Sequence, residues 1–413
     1  MSFVKNLLRK CALSSFFTSL QKQNGIHNRM RFRLLIILFL LSGVCAAQSD
    51  STATEFQDST LDKNLIDKVM DLFEFNHGRT SVKCYPTMGI DPASGISFGL
   101  LSLVAIEPKE RDRKKIKFYR PTSISNSLSY STKNWINLRS DMIIYASHGV
   151  VVNTLLQYQI SPDKYYGIGN DTLNTDPVKF DMNDLRFSGN VSKELSSTCY
   201  LGFQFDLSYR DCASLGENVE GLDLPECKNN WLFGFGPHFT FDRRDNINYP
   251  MRGEFCTFGF KYFPPLANDT YSFYCVELDV RKYFTIYKDL VLACQLFSGI
   301  SEGDIPFYCM YQLGGQTRMR GISNKYMYID KNAYFAQTEL RKHIWKRFSV
   351  VAFGGIGNTF PTLSDIRFNN IKYVYGAGIR FQSDTKNNIN LRLDYGRGSF
   401  DDSGVYMTLR EAF

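Results

Sequence analysis

Several charged residues of this chain lie two apart in the sequence. Gln337, Glu339 and Arg341 alternate with uncharged residues, and so do Arg392 and Asp394. On a strand that spacing puts them on one face. Acids and bases there can pair with each other, which is the chemistry of a charged lining. The run Asp242-Arg243-Arg244-Asp245 is dense in charge but reads as the network of a turn. The five histidines (His27, His77, His148, His238, His343) are scattered. No G-x-S-x-G elbow occurs, so nothing favours a Ser-His-Asp triad and no enzyme is expected. Eight cysteines follow residue 47, none in a C-x-x-C pair, so no zinc and no other cofactor is expected. Cys212 and Cys227 bracket one polar segment and are candidates for a loop disulfide, although spacing does not fix connectivity. Arg320-Gly321 stands in a connection of about thirty residues, too long to be a mere turn.

These residues are carried by segments of period two. Leu201, Phe203, Phe205, Leu207 and Tyr209 interleave with Gly202, Gln204, Asp206, Ser208 and Arg210. Tyr274, Val276, Leu278 and Val280 interleave with Cys275, Glu277, Asp279 and Arg281, and Ile389, Leu391, Leu393 and Tyr395 with Asn390, Arg392 and Asp394. One face is apolar and aromatic while the other carries full charges. Each window is about ten residues long, enough for a tilted strand to cross a bilayer. Sixteen such segments run between 82 and 413. An even number returns both ends of the barrel to one side. The longer connections (160–178, 211–229, 302–332, 359–370) all fall on the other side. The expected fold is all-β, a 16-stranded antiparallel transmembrane β-barrel with a short N-terminal helix. A secreted sandwich would also alternate, but its core would not hold so many bulky aromatic faces.

The N-terminal part reads differently. Residues 1–47 hold seven basic side chains and no acidic one. Arg31 and Arg33 precede the apolar run Leu34–Leu41, and small residues follow to Ala47, which is a secretory signal pattern with Met30 as the expected true start. Removing those seven from the 48 basic residues leaves 41, against 41 acidic ones, so the body is neutral. A nucleic-acid partner has no charge to bind it. Residues 48–81 form a short linker in which Leu61, Ile66, Val69, Met70 and Phe73 predict an amphipathic helix over 61–75. The barrel is expected over 82–413.

Four stretches narrow the family. Gly315-Gln316-Thr317-Arg318-Met319-Arg320-Gly321-Ile322 lies between the eleventh and twelfth segments. Phe241 to Asn246, continuing through Tyr249-Pro250-Met251-Arg252-Gly253, fits D-x-R-D-N-x-x-x-P-x-x-G at Asp242, Arg244, Asp245, Pro250 and Gly253. The third is Gly376 to Phe381 with Leu391 to Gly396. The fourth is the last segment, Val405 to Phe413, in which Tyr406, Leu409 and the aromatic Phe413 have the form of a barrel-assembly signal. Tyr166-Gly167-Ile168-Gly169-Asn170 adds a fifth, weaker one. In this order the chain resembles the BamA/TamA family of outer-membrane barrels, the bacterial surface antigen domain.

The resemblance implies that the long loop folds back into the lumen. Its Arg320-Gly321 would then lock onto Glu339, which matches the family's glutamate. The family usually adds an aspartate where this sequence has Gly355, which shifts the lock to another acid such as Asp394. It also implies periplasmic POTRA domains ahead of the barrel, and 48–81 is too short for one. The implied function is insertion, assembly or export of outer-membrane proteins, through a seam between the first and last strands. Outer-membrane lipid, client outer-membrane proteins, and periplasmic or lipoprotein partners replacing the POTRA domains would surround it. A passive channel, or a surface-antigen barrel acting through its outer loops, is the alternative. An assembly factor should have a poorly bonded terminal seam, and a pore should have a closed seam and an open lumen.

Overall fold

The computed structural model describes residues 74–107, 122–146, 149–171, 176–214, 230–266, 271–366, 370–384 and 388–413. Sixteen antiparallel strands close into one barrel. They are β1 (Thr80–Asp91), β2 (Gly95–Ile106), β3 (Thr122–Ser131), β4 (Ile136–Ala146), β5 (Val150–Tyr165), β6 (Val178–Ser196), β7 (Cys199–Ser214) and β8 (Asn230–Asp242). They continue as β9 (Gly253–Phe263), β10 (Phe273–Tyr287), β11 (Leu290–Gly303), β12 (Asn332–Trp345), β13 (Phe348–Phe360), β14 (Lys372–Asp384), β15 (Ile389–Gly398) and β16 (Ser403–Leu409). Each pairs with its neighbours in sequence, and β16 meets β1 to complete the ring. All sixteen strands fall on the predicted segments.

Two ends differ from expectation. The predicted helix over 61–75 lies outside the described residues up to Phe73. Its last two positions begin a short strand, Glu74–His77, which turns back through Gly78 and Arg79 to pair with the start of β1. At the other end the sequence extended the last segment to Phe413, but β16 stops at Leu409. Arg410 takes a left-handed φ of 67°, and its N–H bonds the Asn390 carbonyl. The chain then turns inward, and Ala412 and Phe413 are buried beside Tyr283 and Ala293. Alternation continues in the sequence past that point, but one left-handed residue is enough to leave the sheet.

Side chains divide between the faces as period two requires. Phe203, Tyr287, Trp345, Tyr375 and Tyr395 stand exposed on the outside, as a lipid-facing wall should. The lumenal face is polar at mid-height. Toward the long-loop side it is unexpectedly apolar, with Phe180, Phe297, Phe307, Leu313, Tyr328 and Phe335 packed in one cluster. Half of that cluster comes from the connection between β11 and β12. This loop descends through a two-stranded ribbon, Tyr311–Gln312 against Ile329–Asp330. Gly169, in the Tyr166–Asn170 motif, bonds the ribbon edge at Ile329 (N to O, 2.7 Å).

Candidate functional site

The tip of this loop carries Arg320 to the middle of the lumen, where four arginines and three acids converge. Arg320, Arg341, Arg380 and Arg392 are all about 1% exposed or less, and Glu339 and Asp394 are fully enclosed. Their strand positions explain the convergence. Glu339 and Arg341 alternate on β12, Arg380 lies on β14, and Arg392 and Asp394 alternate on β15, all on the inner face. Arg320 bonds Glu339 through Nη2 and Asp394 through Nη1. Its guanidinium also lies over the Phe353 ring of β13, 3.9 Å from the centroid. Each acid is held a second time. Arg341 Nε donates to Glu339 Oε2 at 2.8 Å, and Arg380 Nη1 donates to Asp394 Oδ1 at 2.5 Å. Arg380 also donates from Nε to Glu411 (2.8 Å). Arg392 stands 3.6 Å from Asp394 and gives its Nη2 to the Gln316 carbonyl (2.5 Å).

Glycines make the approach possible. Gly321 has φ 126°, and a Cβ there would meet the Arg397 backbone at 2.7 Å. Across from it, a Cβ on Gly396 would meet the Arg320 carbonyl at 2.5 Å. The loop backbone therefore lies flat on β15. Gln337 secures it from the side, accepting from Met319 N–H (3.2 Å) and donating to the Thr317 carbonyl (2.9 Å). Gly355, where the resemblance led one to look for an aspartate, has Met319 Sδ and Gln337 Cβ each 3.0 Å from the position a Cβ would take. That space is occupied by the loop's own methionine, and Asp394 supplies the second acid.

The loop is tied to the seam as well. Tyr406 of β16 is fully buried; its hydroxyl accepts from Gly321 N–H (3.1 Å) and donates to the Ile322 carbonyl (3.2 Å). Tyr406, Leu409 and Phe413, read from sequence as one signal, do not share a face. Tyr406 points inward against the loop, and Phe413 has left the sheet, with its backbone oxygen accepting from Arg341 (3.1 Å). Sequence reasoning missed Arg380, Glu411 and Tyr406 as partners of this site. The inner parity of Arg380 with Gly376 and Gly378 was a usable signal. Pro86, inside β1 with no N–H to donate, suits an edge strand, but Pro162 in β5 and Pro237 in β8 lie away from the seam, so proline alone did not single it out.

That seam is short. β16 pairs with β1 at Met407↔Ile90 alone, whereas every other neighbouring pair in the ring shares a ladder of at least six residues.

The D-x-R-D-N turn has its own network of bonds. Asp242 takes both Nε (3.0 Å) and Nη2 (2.9 Å) of Arg244, which stacks on Phe255 at 4.3 Å. Asp245 caps the far side of the turn, accepting from Met251 N–H (3.0 Å) and Arg252 N–H (3.2 Å). Pro250 is buried, and Gly253 (φ 105°) leaves no room for a Cβ against the Arg243 carbonyl, 2.2 Å away. These five residues are brought together by the turn, and its Tyr249 reaches the arginine cluster, with the Arg341 guanidinium 5.9 Å from the ring centroid. Cys212 is disulfide-bonded; Cys227 lies outside the described residues, and the six other described cysteines are free.

Known proteins resemble this chain in sequence family and in fold. A family model described as the Omp85 superfamily domain matches residues 109–402. Among curated proteins, none matches the chain. Among solved structures, BamA from Haemophilus ducreyi lacking POTRA domains 1-3 superposes with a TM-score of 0.54 at 12% identity, covering 80% of this chain and 70% of that one. CdiB from Escherichia coli gives 0.53 at 11%, covering 82% and 63%. CdiB from Acinetobacter baumannii gives 0.51 at 11%, covering 81% and 60%. The chain therefore spans less than two thirds of either CdiB, and at these identities the likeness speaks for the fold. With the family model covering most of the barrel, the chain is an outer-membrane β-barrel and belongs to the Omp85 superfamily.

Proposed function

We propose that this barrel acts without catalysis to insert or export other outer-membrane proteins, using the seam between β1 and β16 as the working edge. The observation that carries the reading is the single pair Met407↔Ile90. Unpaired N–H and C=O groups on a strand edge are a template for an incoming strand. In a ring of long ladders, this is the place where an edge costs least to expose. The inward turn at Arg410 supports the same reading, because it withdraws the end of β16 from β1. The arginine cluster is proposed as the brace that keeps the lumen in shape while the seam opens.

The channel alternative predicts an open lumen and a closed seam. The loop between β11 and β12 fills the long-loop half of the lumen with buried side chains such as Leu313, Met319 and Tyr328, which favours the assembly reading. The surface-antigen alternative relied on the 211–229 loop, most of which lies outside the described residues. The test is depletion of the protein in its host, followed by quantitative proteomics of the outer membrane. Loss of other barrel proteins is the expected result and would name the clients. An intact set of barrels with altered small-solute uptake would reject the proposal in favour of the channel.

A further inference from the structure

Independently of the seam, we infer that the lumen holds a binding site for a neutral sugar, a single hexose unit, between the descending loop and β2–β5. The site is a half-enclosed pocket of about 240 Å³ on the long-loop side, smaller than the ~300 Å³ at which sites for drug-sized ligands begin. A row of the inner face carries its polar groups. Ser129 of β3 stands opposite Asn137 of β4, and Asn137 opposite Gln159 of β5, so the three side chains follow one another at the strand spacing of about 4.8 Å. Ser97 of β2, Trp135 of the turn between β3 and β4, and Ser323 of the loop complete the lining.

This lining selects by charge and by hydrogen bonding. Gln157 Nε2 donates to Asn137 Oδ1 (3.1 Å) and to Gln159 Oε1 (2.9 Å). One donor thus occupies both amide carbonyls and leaves both NH2 groups to the pocket. Among the described residues, the hydroxyls of Ser97, Ser129 and Ser323 have no partner. Hydroxyls donate and accept, and amide NH2 groups donate, so the set suits the mixed donors and acceptors of a polyol. The two charges at the pocket are already engaged. Asp91 Oδ1 accepts from the Ala93 and Ser94 N–H groups (2.9 and 3.3 Å), and Lys325 pairs with Asp163 at 3.0 Å. A charged ligand would compete with those bonds, whereas sugar hydroxyls replace water bond for bond. Trp135 is fixed by its Nε1, which donates to the Pro162 carbonyl (3.0 Å), and it adds an apolar surface for the C–H face of a sugar ring. An apolar ligand of the same size would leave the amides unpaired, and that cost makes a polar site selective.

The test uses Trp135 as its own reporter. Full-length protein carrying Trp231→Phe and Trp345→Phe retains Trp135 as its one tryptophan. Its emission is titrated in detergent micelles with D-glucose, D-galactose and maltotriose. A saturable change with half-saturation at about 1 mM is expected for at least one of the two hexoses. Gln159→Leu, which removes the amide at nearly equal volume, should weaken binding about tenfold. Ser129→Leu, which fills the pocket, should abolish it. Heat-modifiable mobility shows whether each variant barrel is folded; if Ser129→Leu fails that check, Gln159→Leu alone decides. Maltotriose bound as tightly as the hexose upholds the site and assigns it to the end of a glycan chain, while maltotriose excluded upholds it for free sugar. No saturable change with either hexose, or equal binding by Gln159→Leu and its parent, would overturn the inference. Gluconate or glucosamine bound as tightly as the hexose would overturn it as well, since the site would then not select a neutral ligand.

Discussion

Arg320 bridges two buried carboxylates, so its removal would be expected to leave two uncompensated charges at a cost of about 3–5 kcal/mol or more. The geometry argues for less. Glu339 keeps Arg341 at 2.8 Å and Asp394 keeps Arg380 at 2.5 Å when Arg320 is gone. Four guanidiniums facing three acids become three facing three. Arg320→Ala loses two charge-assisted hydrogen bonds, at about 1.5–3 kcal/mol each, and the stacking on Phe353, worth about 1 kcal/mol. It gains relief from the repulsion of Arg380 and Arg392, and a net cost of about 2–3 kcal/mol is expected. Asp394→Asn works the other way. It leaves four buried guanidiniums with Glu339 and Glu411, and deprives both Arg320 and Arg380 of a direct partner. That change should cost about 5 kcal/mol, the upper end of what an uncompensated buried charge costs. The assay is guanidinium unfolding of the vesicle-reconstituted barrel, followed by the fluorescence of Trp135, Trp231 and Trp345. An Arg320→Ala barrel as unstable as Asp394→Asn, or more so, would refute the idea that the acids are doubly held.

Two further perturbations separate the loop from the cluster. Gly396→Ala places a methyl 2.5 Å from the Arg320 carbonyl, so it should expel the loop tip, Arg320 with it, without altering any of the seven charged residues; faster trypsin cleavage after Arg318, Arg320 and Lys325 in intact membranes would report it. Tyr406→Phe removes the hydroxyl that joins β16 to Gly321 and Ile322, and should destabilise the barrel by about 1–3 kcal/mol while raising thiol labelling of a cysteine placed at Met407.

How much of this was legible in the sequence can be argued from particular residues. Period two located the strands because each inner position had a physical reason to differ from its outer neighbour: Glu339 could not face lipid, and Leu340 could not profitably face the lumen. The same logic failed where side chains on the inner face were apolar. Phe297 and Phe335 meet the descending loop and not water, and alternation carries no record of what fills a lumen. Strand ends were legible where a turn residue marked them, as at Asp289 (φ 61°), but not at Arg410, whose left-handed conformation has no sequence signature of its own. The acid partner of Arg320 could be narrowed to Asp394 by parity. Why Gly355 cannot serve required Met319 to be seen lying over it. The strand at Glu74–His77 was hidden by a helical spacing that ends on Phe73, one residue before the strand begins.

The seam and the loop are one mechanical unit, and this limits how the barrel can open. Tyr406 lies one residue from Met407, the only β16 residue paired with β1, and faces the opposite way. Its hydroxyl holds Gly321, and Gly321 is continuous with the Arg320 that anchors the loop to β12 and β15. A movement of β16 away from β1 must therefore either break the Tyr406 contacts or carry the loop tip with it. The second course is opposed by five charged groups on three strands (Glu339, Arg341, Arg380, Arg392 and Asp394), none of which belongs to the seam. The cheaper course is to give up one hydroxyl's two hydrogen bonds and one strand pair. The arrangement thus concentrates compliance at the β1–β16 edge and stiffness one strand behind it. A working edge needs both, because an edge whose supporting wall also gave way would offer no fixed register to an incoming strand.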